Sequence, residues 1–258
     1  MTQAEPLLKG AFGSIGRKTL DVLMPPQCLN CGTLIDRDGA LCLDCWQAVT
    51  FITDPHCASC GLPFEFEGSD ELSEGNMCGA CIARPPLFER ARAVVAYDDA
   101  SSSFILTFKH ADRTEAASTF ARWMARAGAD VMMDADIIAP VPLHWTRLFK
   151  RRYNQAALLG QQLSRLSDIP TIPDLLIRKR RTPSQGRLSP SARRRNVSGA
   201  FQVRPKYAPA IAGKRVLLID DVLTSGATVT ACTKILLKGG ASAVDVLTLS
   251  RVLRPFPL

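Results

Sequence analysis

The sequence predicts an α/β fold: a mainly parallel sheet flanked by helices, preceded by a small cysteine-rich metal-binding region. Three observations carry this expectation. Val216-Leu217-Leu218-Ile219 is an unbroken apolar run that reads as a strand buried on both faces of a parallel sheet. Short apolar runs alternate with amphipathic helical runs from Ala93 to Leu249, the pattern of βαβ units. Eight of nine cysteines fall into four Cys-x-x-Cys pairs, all in the first third of the chain.

The 258 residues can form one large domain or two. Pro25-Pro26 and Arg84-Pro85-Pro86 divide the chain into an N-terminal segment 1–24, a cysteine-rich domain 25–86 and an α/β domain 87–258. The formal net charge of +8 and pI near 9.2 favour anionic partners, whether phosphates, nucleotides or nucleic acid, without choosing among them. Leu7, Leu8, Phe12, Ile15, Leu20, Val22 and Leu23 are interrupted by Lys9, Gly13, Arg17 and Lys18, so no signal-peptide core or bilayer-length stretch forms. The expectation is a cytoplasmic protein with reduced cysteines and no stable membrane insertion.

Residues 1–24 read as one amphipathic helix weakened by glycines. Packing on its own domain is favoured over a membrane or partner contact. In 25–83 the pairs are Cys28/Cys31, Cys42/Cys45, Cys57/Cys60 and Cys78/Cys81. Each presents two thiolates on one side of a tight knuckle, and two knuckles complete a tetrahedral Cys₄ site for Zn²⁺. Gly32 and Gly61 follow two of the pairs, where a knuckle needs a left-handed residue. Two structural zincs are expected. Sequential pairing, 28/31 with 42/45 and 57/60 with 78/81, is the simplest, and an interleaved pairing stays open. Redox and iron–sulfur readings fit the repeated spacing less well. His56 reads as a neighbour of the site rather than a ligand. Glu65, Glu67, Asp70, Glu71 and Glu74 argue against this surface meeting DNA.

Beyond residue 86, Ala93–Tyr97 reads as a strand, Ser102–Lys109 as a short helix, and Thr114–Gly128 as a longer helix with Ala117, Phe120, Ala121 and Met124 on one face. Ile137–Val141 is a second buried strand and Asn154–Leu166 a helix capped by Asn154. Leu175–Ile177 is a short strand. The central strand 216–219 is followed by a helix over 229–238, stopped by Gly239-Gly240, and by a last strand over Val244–Leu249. Cys232, at helical spacing with Val229, Ile235 and Leu236, reads as a core thiol.

The central strand carries the chemistry. Asp220-Asp221 follow it where it would run out, then Thr224-Ser225-Gly226-Ala227-Thr228 lead into the helix. Such a loop can aim backbone N–H groups, hydroxyls and a helix dipole at one anion. The two acids can accept hydrogen bonds from vicinal sugar hydroxyls or hold Mg²⁺. A ribose phosphate suits this set. Residues 178–199 hold eight Arg or Lys and no acid. They are expected to be mobile without ligand, closing over a pyrophosphate in preference to gripping a nucleic-acid backbone or simply solubilising the chain. A second basic cluster, Arg147, Lys150, Arg151 and Arg152, follows Pro140-Val141-Pro142-Leu143-His144. His144 reads as a capping or surface residue rather than a general base.

The run from Ile219 to Thr228 resembles the phosphoribosyl-pyrophosphate signature of type I phosphoribosyltransferases. With Leu106 to His110, Pro140 to His144, Arg152 to Ala156, Arg180 to Gln185 and Arg195 to Phe201, the chain resembles the ComF/GntX family of double zinc ribbon, phosphoribosyltransferase-like competence proteins. It departs at Arg152-Tyr153, where the family usually has Arg-Gly-Phe, and at Lys109-His110, where it usually has Lys-Tyr. The resemblance implies a type I phosphoribosyltransferase-like fold. It implies that Asp220 and Asp221 hold the ribose hydroxyls and that Thr224, Ser225, Gly226, Ala227 and Thr228 hold the 5′-phosphate. Val141, Pro142 and Leu143 with Arg151 or Arg152 would frame the pyrophosphate, and Lys109 would touch phosphate. The expected function is binding of phosphoribosyl pyrophosphate with Mg²⁺ and transfer of its phosphoribosyl group. The alternatives are a DNA-uptake accessory that binds single-stranded DNA or a competence helicase, and a non-catalytic sensor of the sugar pyrophosphate.

Overall fold

The computed structural model describes residues 25–64, 76–110, 114–182 and 189–253. The expected N-terminal helix, the acidic residues 65–74 and Pro183-Ser184-Gln185 with Arg187 lie outside the described residues. Two compact units emerge, Met1–Ala48 and Val49–Leu258. The second Cys-x-x-Cys set therefore shares a unit with the sheet, and the sequence boundary at residue 86 falls inside that unit.

In the first unit, Cys28 N donates to Thr33 O (2.8 Å) and Gly32 N to Cys28 O (3.1 Å), closing a knuckle before helix α1 (Leu43–Ala48). In the second unit the motif recurs: Cys57 N donates to Leu62 O (2.8 Å) and Gly61 N to Cys57 O (2.8 Å), before helix α2 (Gly79–Ala83). Gly32 and Gly61 adopt φ of 77° and 67°, the left-handed region in which a side chain is strained.

The second unit is a four-stranded parallel sheet in the order β1 (Ala91–Ala96), β6 (Ala243–Arg251), β5 (Arg215–Leu223), β2 (Ile137–Pro140). Between β1 and β2 lie α3 (Asp99–His110), α4 (Ala116–Ala127) and the short α5 (Ala129–Met133). Between β2 and β5 come α6 (Trp145–Arg151), α7 (Gln155–Ser167), β3 (Leu176–Arg178), α8 (Pro190–Val197), β4 (Phe201–Val203) and α9 (Ala208–Ile211). Helix α10 (Ala227–Lys238) connects β5 to β6.

Helices α4 and α7 pack on one another, α4 against β1 and β6 and α7 against β2 and β5; α10 packs against β4, β5, β6 and α8. Ala117, Phe120, Ala121 and Met124 of α4 are buried, as their spacing requires. Phe104 and Phe108 of α3 meet Phe120 at ring centroid distances of 5.6 and 5.2 Å, which anchors α3 on α4.

Four expectations need correction. β5 does not stop at Ile219, so Asp220 and Asp221 lie inside the strand: β6 continues beside it and extends the ladder to Leu223↔Arg251. β3 does not join the main sheet; it pairs antiparallel with β4, a three-residue strand with no readable period. Residues 178–199 are not one structureless stretch. Arg178 ends β3, and Ser189 caps α8 by accepting from Ala192 N, with Pro190 in the first turn and Val197 buried. The basic cluster after His144 is helical rather than a loop, while His144 caps it by accepting from Thr146 N, in line with its capping reading.

At the amino end of the sheet, Asp245 is fully buried. It accepts from Arg90 N (3.1 Å), Arg90 NH2 (2.7 Å) and Arg215 NH1 (3.0 Å), so its charge is compensated. At the β1 edge, Ile52 N donates to Val94 O (2.8 Å) and Ala96 N to Thr50 O (2.9 Å), while Ala91 N donates to Ser59 O (2.7 Å). Arg251 NH1 donates to Cys60 O and Arg92 NH1 to Ala58 O (3.1 Å). The second knuckle is thus bonded directly to the sheet.

A Cβ on Gly61 would lie 2.3 Å from the Ala91 carbonyl oxygen, whereas one on Gly213, also left-handed at φ 70°, meets nothing within 4 Å. Gly213→Ala should cost about 1–2 kcal/mol, the left-handed penalty alone. Gly61→Ala should lower the unfolding midpoint clearly further. Equal midpoints in thermal unfolding would show that the knuckle is not wedged against β1.

Candidate functional site

The described residues hold two sets of four cysteines, Cys28/Cys31/Cys42/Cys45 and Cys57/Cys60/Cys78/Cys81, with the Sγ atoms of each set within 4.8 Å of one another. The pairing is sequential. Cys31 and Cys42 Sγ are 3.7 Å apart, as are Cys60 and Cys78 Sγ. A tetrahedron with Zn–S bonds of about 2.3 Å has edges of about 3.8 Å, so the donor sets fit Zn²⁺. Backbone N–H groups point at the sulfurs: Cys42 N to Cys28 Sγ (3.3 Å) and Cys78 N to Cys57 Sγ (3.2 Å). His56 Nδ1 instead lies 2.8 Å from Asp54 Oδ1.

The second site sits beyond the carboxyl end of the sheet. β2 ends at Pro140, paired with Ile219, and Val141 N donates to Ile219 O (2.8 Å). From there β5 runs on, and a cavity of about 200 Å³ opens over it. Its lining includes Lys109, Val141, Pro142, Leu143, Arg147, Arg151, Asn154, Gln155, Arg178, Asp220, Asp221, Thr224 and Thr228. Four cations face two carboxylates there, which suits an anionic ligand.

The local sequence explains each placement. Lys109 lies in the last turn of α3, where carbonyls are tied down: Tyr153 OH donates to Phe108 O (2.8 Å) and Gln155 Nε2 to Lys109 O (3.0 Å). Lys109 Nζ meets Asp221 Oδ2 at 3.1 Å. Asn154 caps α7 through Ala156 N (3.1 Å) and donates to Val141 O (3.0 Å), fixing the 141–143 segment. Asp220 Oδ1 accepts from Asp221 N (2.9 Å). Protein crowding around its carboxyl, and then the charge of Asp221, push the Asp220 pKa up to about 7.

Thr224 to Thr228 wrap the start of α10. Gly226 takes φ 71°, and its Cβ position is nearly open, so conformation rather than space requires glycine. The Ser225 hydroxyl oxygen is buried with no hydrogen-bond partner among the described residues. An orphaned hydroxyl beside the free N–H groups of a helix N-terminus fits a phosphate oxygen.

The structure thus gathers Lys109, Val141, Pro142, Leu143, Arg151, Asp220, Asp221, Thr224 and Thr228 around one cavity, with Ser225, Gly226 and Ala227 in the turn between the two threonines. It does not bring Arg152 there: that residue is exposed, left-handed at φ 65°, and ends α6. Sequence reading missed Arg147, Asn154, Gln155 and Arg178 as site residues. Asn154-Gln155 directly follow the basic cluster, which was an available signal. Arg178 lies one residue past the expected strand end and had been counted with the mobile stretch.

A Double zinc ribbon domain model matches residues 19–82 and a Phosphoribosyl transferase domain model matches 154–253. The chain is 32% identical over 233 residues to Competence protein F of Haemophilus influenzae, covering 87% of this chain and 96% of that one. It is 33% identical over 203 residues to DNA utilization protein YhgH of Escherichia coli K12, covering 76% and 84%. It is 28% identical over 227 residues to Competence protein ComFC of Bacillus subtilis, covering 84% and 87%. Among the described residues no helix is long and apolar enough to cross a membrane. The fold, the two cysteine clusters and these relatives agree that the chain belongs to the ComF family, which joins a double zinc ribbon to a phosphoribosyltransferase domain.

Proposed function

We propose that the protein binds phosphoribosyl pyrophosphate with Mg²⁺ and transfers its phosphoribosyl group to a nitrogen nucleophile, a base or an amine. The observation that carries this reading is the cavity that brings Asp220, Asp221, Thr224 and Thr228 together at the start of α10. The 224–228 turn takes the 5′-phosphate, and Asp220 and Asp221 take the 2′- and 3′-hydroxyls. Val141, Pro142 and Leu143 with Arg151 frame the pyrophosphate. The acceptor nitrogen forms the new bond to C1 as the C1–O bond breaks. The electron pair leaves on pyrophosphate, and the acceptor's N–H proton passes to solvent. Mg²⁺, held by the ligand's phosphates beside the two carboxylates, would neutralise charge on the leaving group. The chain itself contributes positioning and charge stabilisation rather than acid–base chemistry.

In calorimetric titration, wild type should bind phosphoribosyl pyrophosphate in a Mg²⁺-dependent manner. Asp220→Asn with Asp221→Asn should weaken it by a hundredfold or so, two charge-assisted hydrogen bonds being lost. Undiminished affinity in the double variant would remove the two acids from the site.

We propose further that each Cys₄ set holds a structural Zn²⁺. Elemental analysis should give two zincs per chain. Cys57→Ser should retain one and lower the unfolding midpoint, because that knuckle is bonded to β1. Full zinc content in Cys57→Ser would contradict the assignment.

A second reading, contact with single-stranded DNA, draws on α6. Trp145 and Phe149 stand one turn apart on this helix, 71% and 87% exposed, beside Lys150 and Arg151. Exposed rings among cations suit base stacking and phosphate contact. Trp145→Ala with Phe149→Ala should cut affinity for an oligothymidylate at least tenfold, and binding should fall steeply with salt. Salt-insensitive binding, or none, would exclude α6 as such a surface.

A further inference from the structure

Two buried arginines of the sheet reach the second knuckle. Arg92 of β1 is 9% exposed, and its NH1 donates to Ala58 O (3.1 Å) and Ala91 O (3.0 Å). Its charge is matched, because NH2 donates to Asp130 Oδ2 at 2.6 Å. Arg251 of β6 is 8% exposed, and its NH1 donates to the carbonyl of Cys60 itself. Its Nε is buried with no hydrogen-bond partner among the described residues, and no carboxylate pairs with it there. Nor is Arg251 among the residues that line the cavity over β5.

A buried guanidinium without a counter-charge is costly. The residue it bonds belongs to a Cys₄ set. Four thiolates outweigh one Zn²⁺ by two charges, so a loaded site is an anion as well as a metal centre. A cation held against one of its ligand residues lowers the cost of burying that charge. Each of the two charges supplies what the other lacks.

The first set is built differently. Its sulfurs meet neutral groups: Asn30 Nδ2 donates to Cys45 Sγ (3.4 Å), Cys42 N to Cys28 Sγ (3.3 Å) and Cys31 Sγ to Thr33 Oγ1 (3.2 Å). Among the described residues of that unit the one cation is Arg37, which is exposed and bonds to none of the four cysteines.

We infer that Arg251 is the counter-ion of the second Zn²⁺ site, a positioning residue whose charge keeps the thiolates of Cys57, Cys60, Cys78 and Cys81 on the metal. This rests on the structural-zinc reading of the cysteine sets. It makes the two zincs unequal: the second has a cation from the sheet, and the first has neutral donors. It also joins metal to sheet, since Arg251 pairs through its backbone with Leu223, the residue before Thr224.

The test uses the full zinc-loaded chain. Zinc transfer to a chromogenic chelator gives the rate of release. Mass spectrometry shows which cysteines are alkylated by iodoacetamide, a neutral reagent, and by iodoacetate, an anionic one. In wild type the second set should favour iodoacetate over iodoacetamide about threefold more than the first set does, because a nearby cation attracts the anion. Arg251→Gln should abolish that difference. It should also speed zinc release from the second set about tenfold, leaving the first within about twofold. Arg251→Lys should keep the reagent preference. Faster release in Arg251→Gln with the preference intact would make Arg251 a tether for the Cys60 carbonyl and overturn the charge role. Equal preference of the two sets in wild type would overturn it as well, and that comparison decides the matter even if Arg251→Gln does not fold. A second set that takes up no zinc in elemental analysis would instead sink the parent reading.

Discussion

The structure depends on unequal strand lengths at the carboxyl end of the sheet. β2 stops at Pro140 while β6 carries β5 on to Leu223. Past Ile219, the described ladder supports β5 on one side only. The vacated side is where Val141, Pro142 and Leu143 turn away and the cavity opens. A carboxylate pair can lie in regular strand and still face a ligand because the neighbouring strand is missing there. Parallel α/β sheets place ligand sites beyond such strand ends, at the points where connections diverge.

The two ends of the sheet treat buried charge in opposite ways. At the amino end, Asp245 is fully enclosed and meets Arg90 and Arg215, with Asp134 and Glu89 completing the network. Nothing is left for a ligand to do. At the carboxyl end, among the described residues, Arg147 and Arg178 donate to Thr182 and pair with no carboxylate, the Ser225 hydroxyl has no hydrogen-bond partner, and Asp220 is held up near pKa 7 by its own crowding and by Asp221. Lys109 and Asp221 do pair at that end, so the contrast lies in the two arginines and Asp220 rather than in every charge there. The same residue types, Arg and Asp, serve both ends, so only their partners separate the roles.

Much of this was legible in the sequence because it rests on local chemistry. The left-handed Gly32 and Gly61, the Asn154 cap, the sequential cysteine pairing and the strand–turn–helix around Asp220 follow from short-range geometry. What escaped depends on neighbours. The length of β5 is set by β6, not by its own residues. α6 and α8 offer no apolar stripe: α6 buries none of its residues, and α8 rests on Val197. Arg178 was hidden because a basic residue next to other basic residues reads as solvated. Phe201, Thr182 and the three-residue pairing of β3 with β4 hold it inside instead.

The bonding of the second knuckle to β1 bears on how the chain could be divided. Thr50 and Ile52 cover the outer backbone of β1, Ser59 accepts from its first residue, and Arg251 reaches from β6 to Cys60. Cutting at residue 86 would strip that cover and leave a row of unpaired N–H and C=O groups along Ala91–Ala96. Bare strand edges of this kind recruit other strands and lead to aggregation. The cysteine-rich segment from Val49 onward thus acts as the sheet's edge guard, and a division of the chain near Ala48 keeps that guard in place.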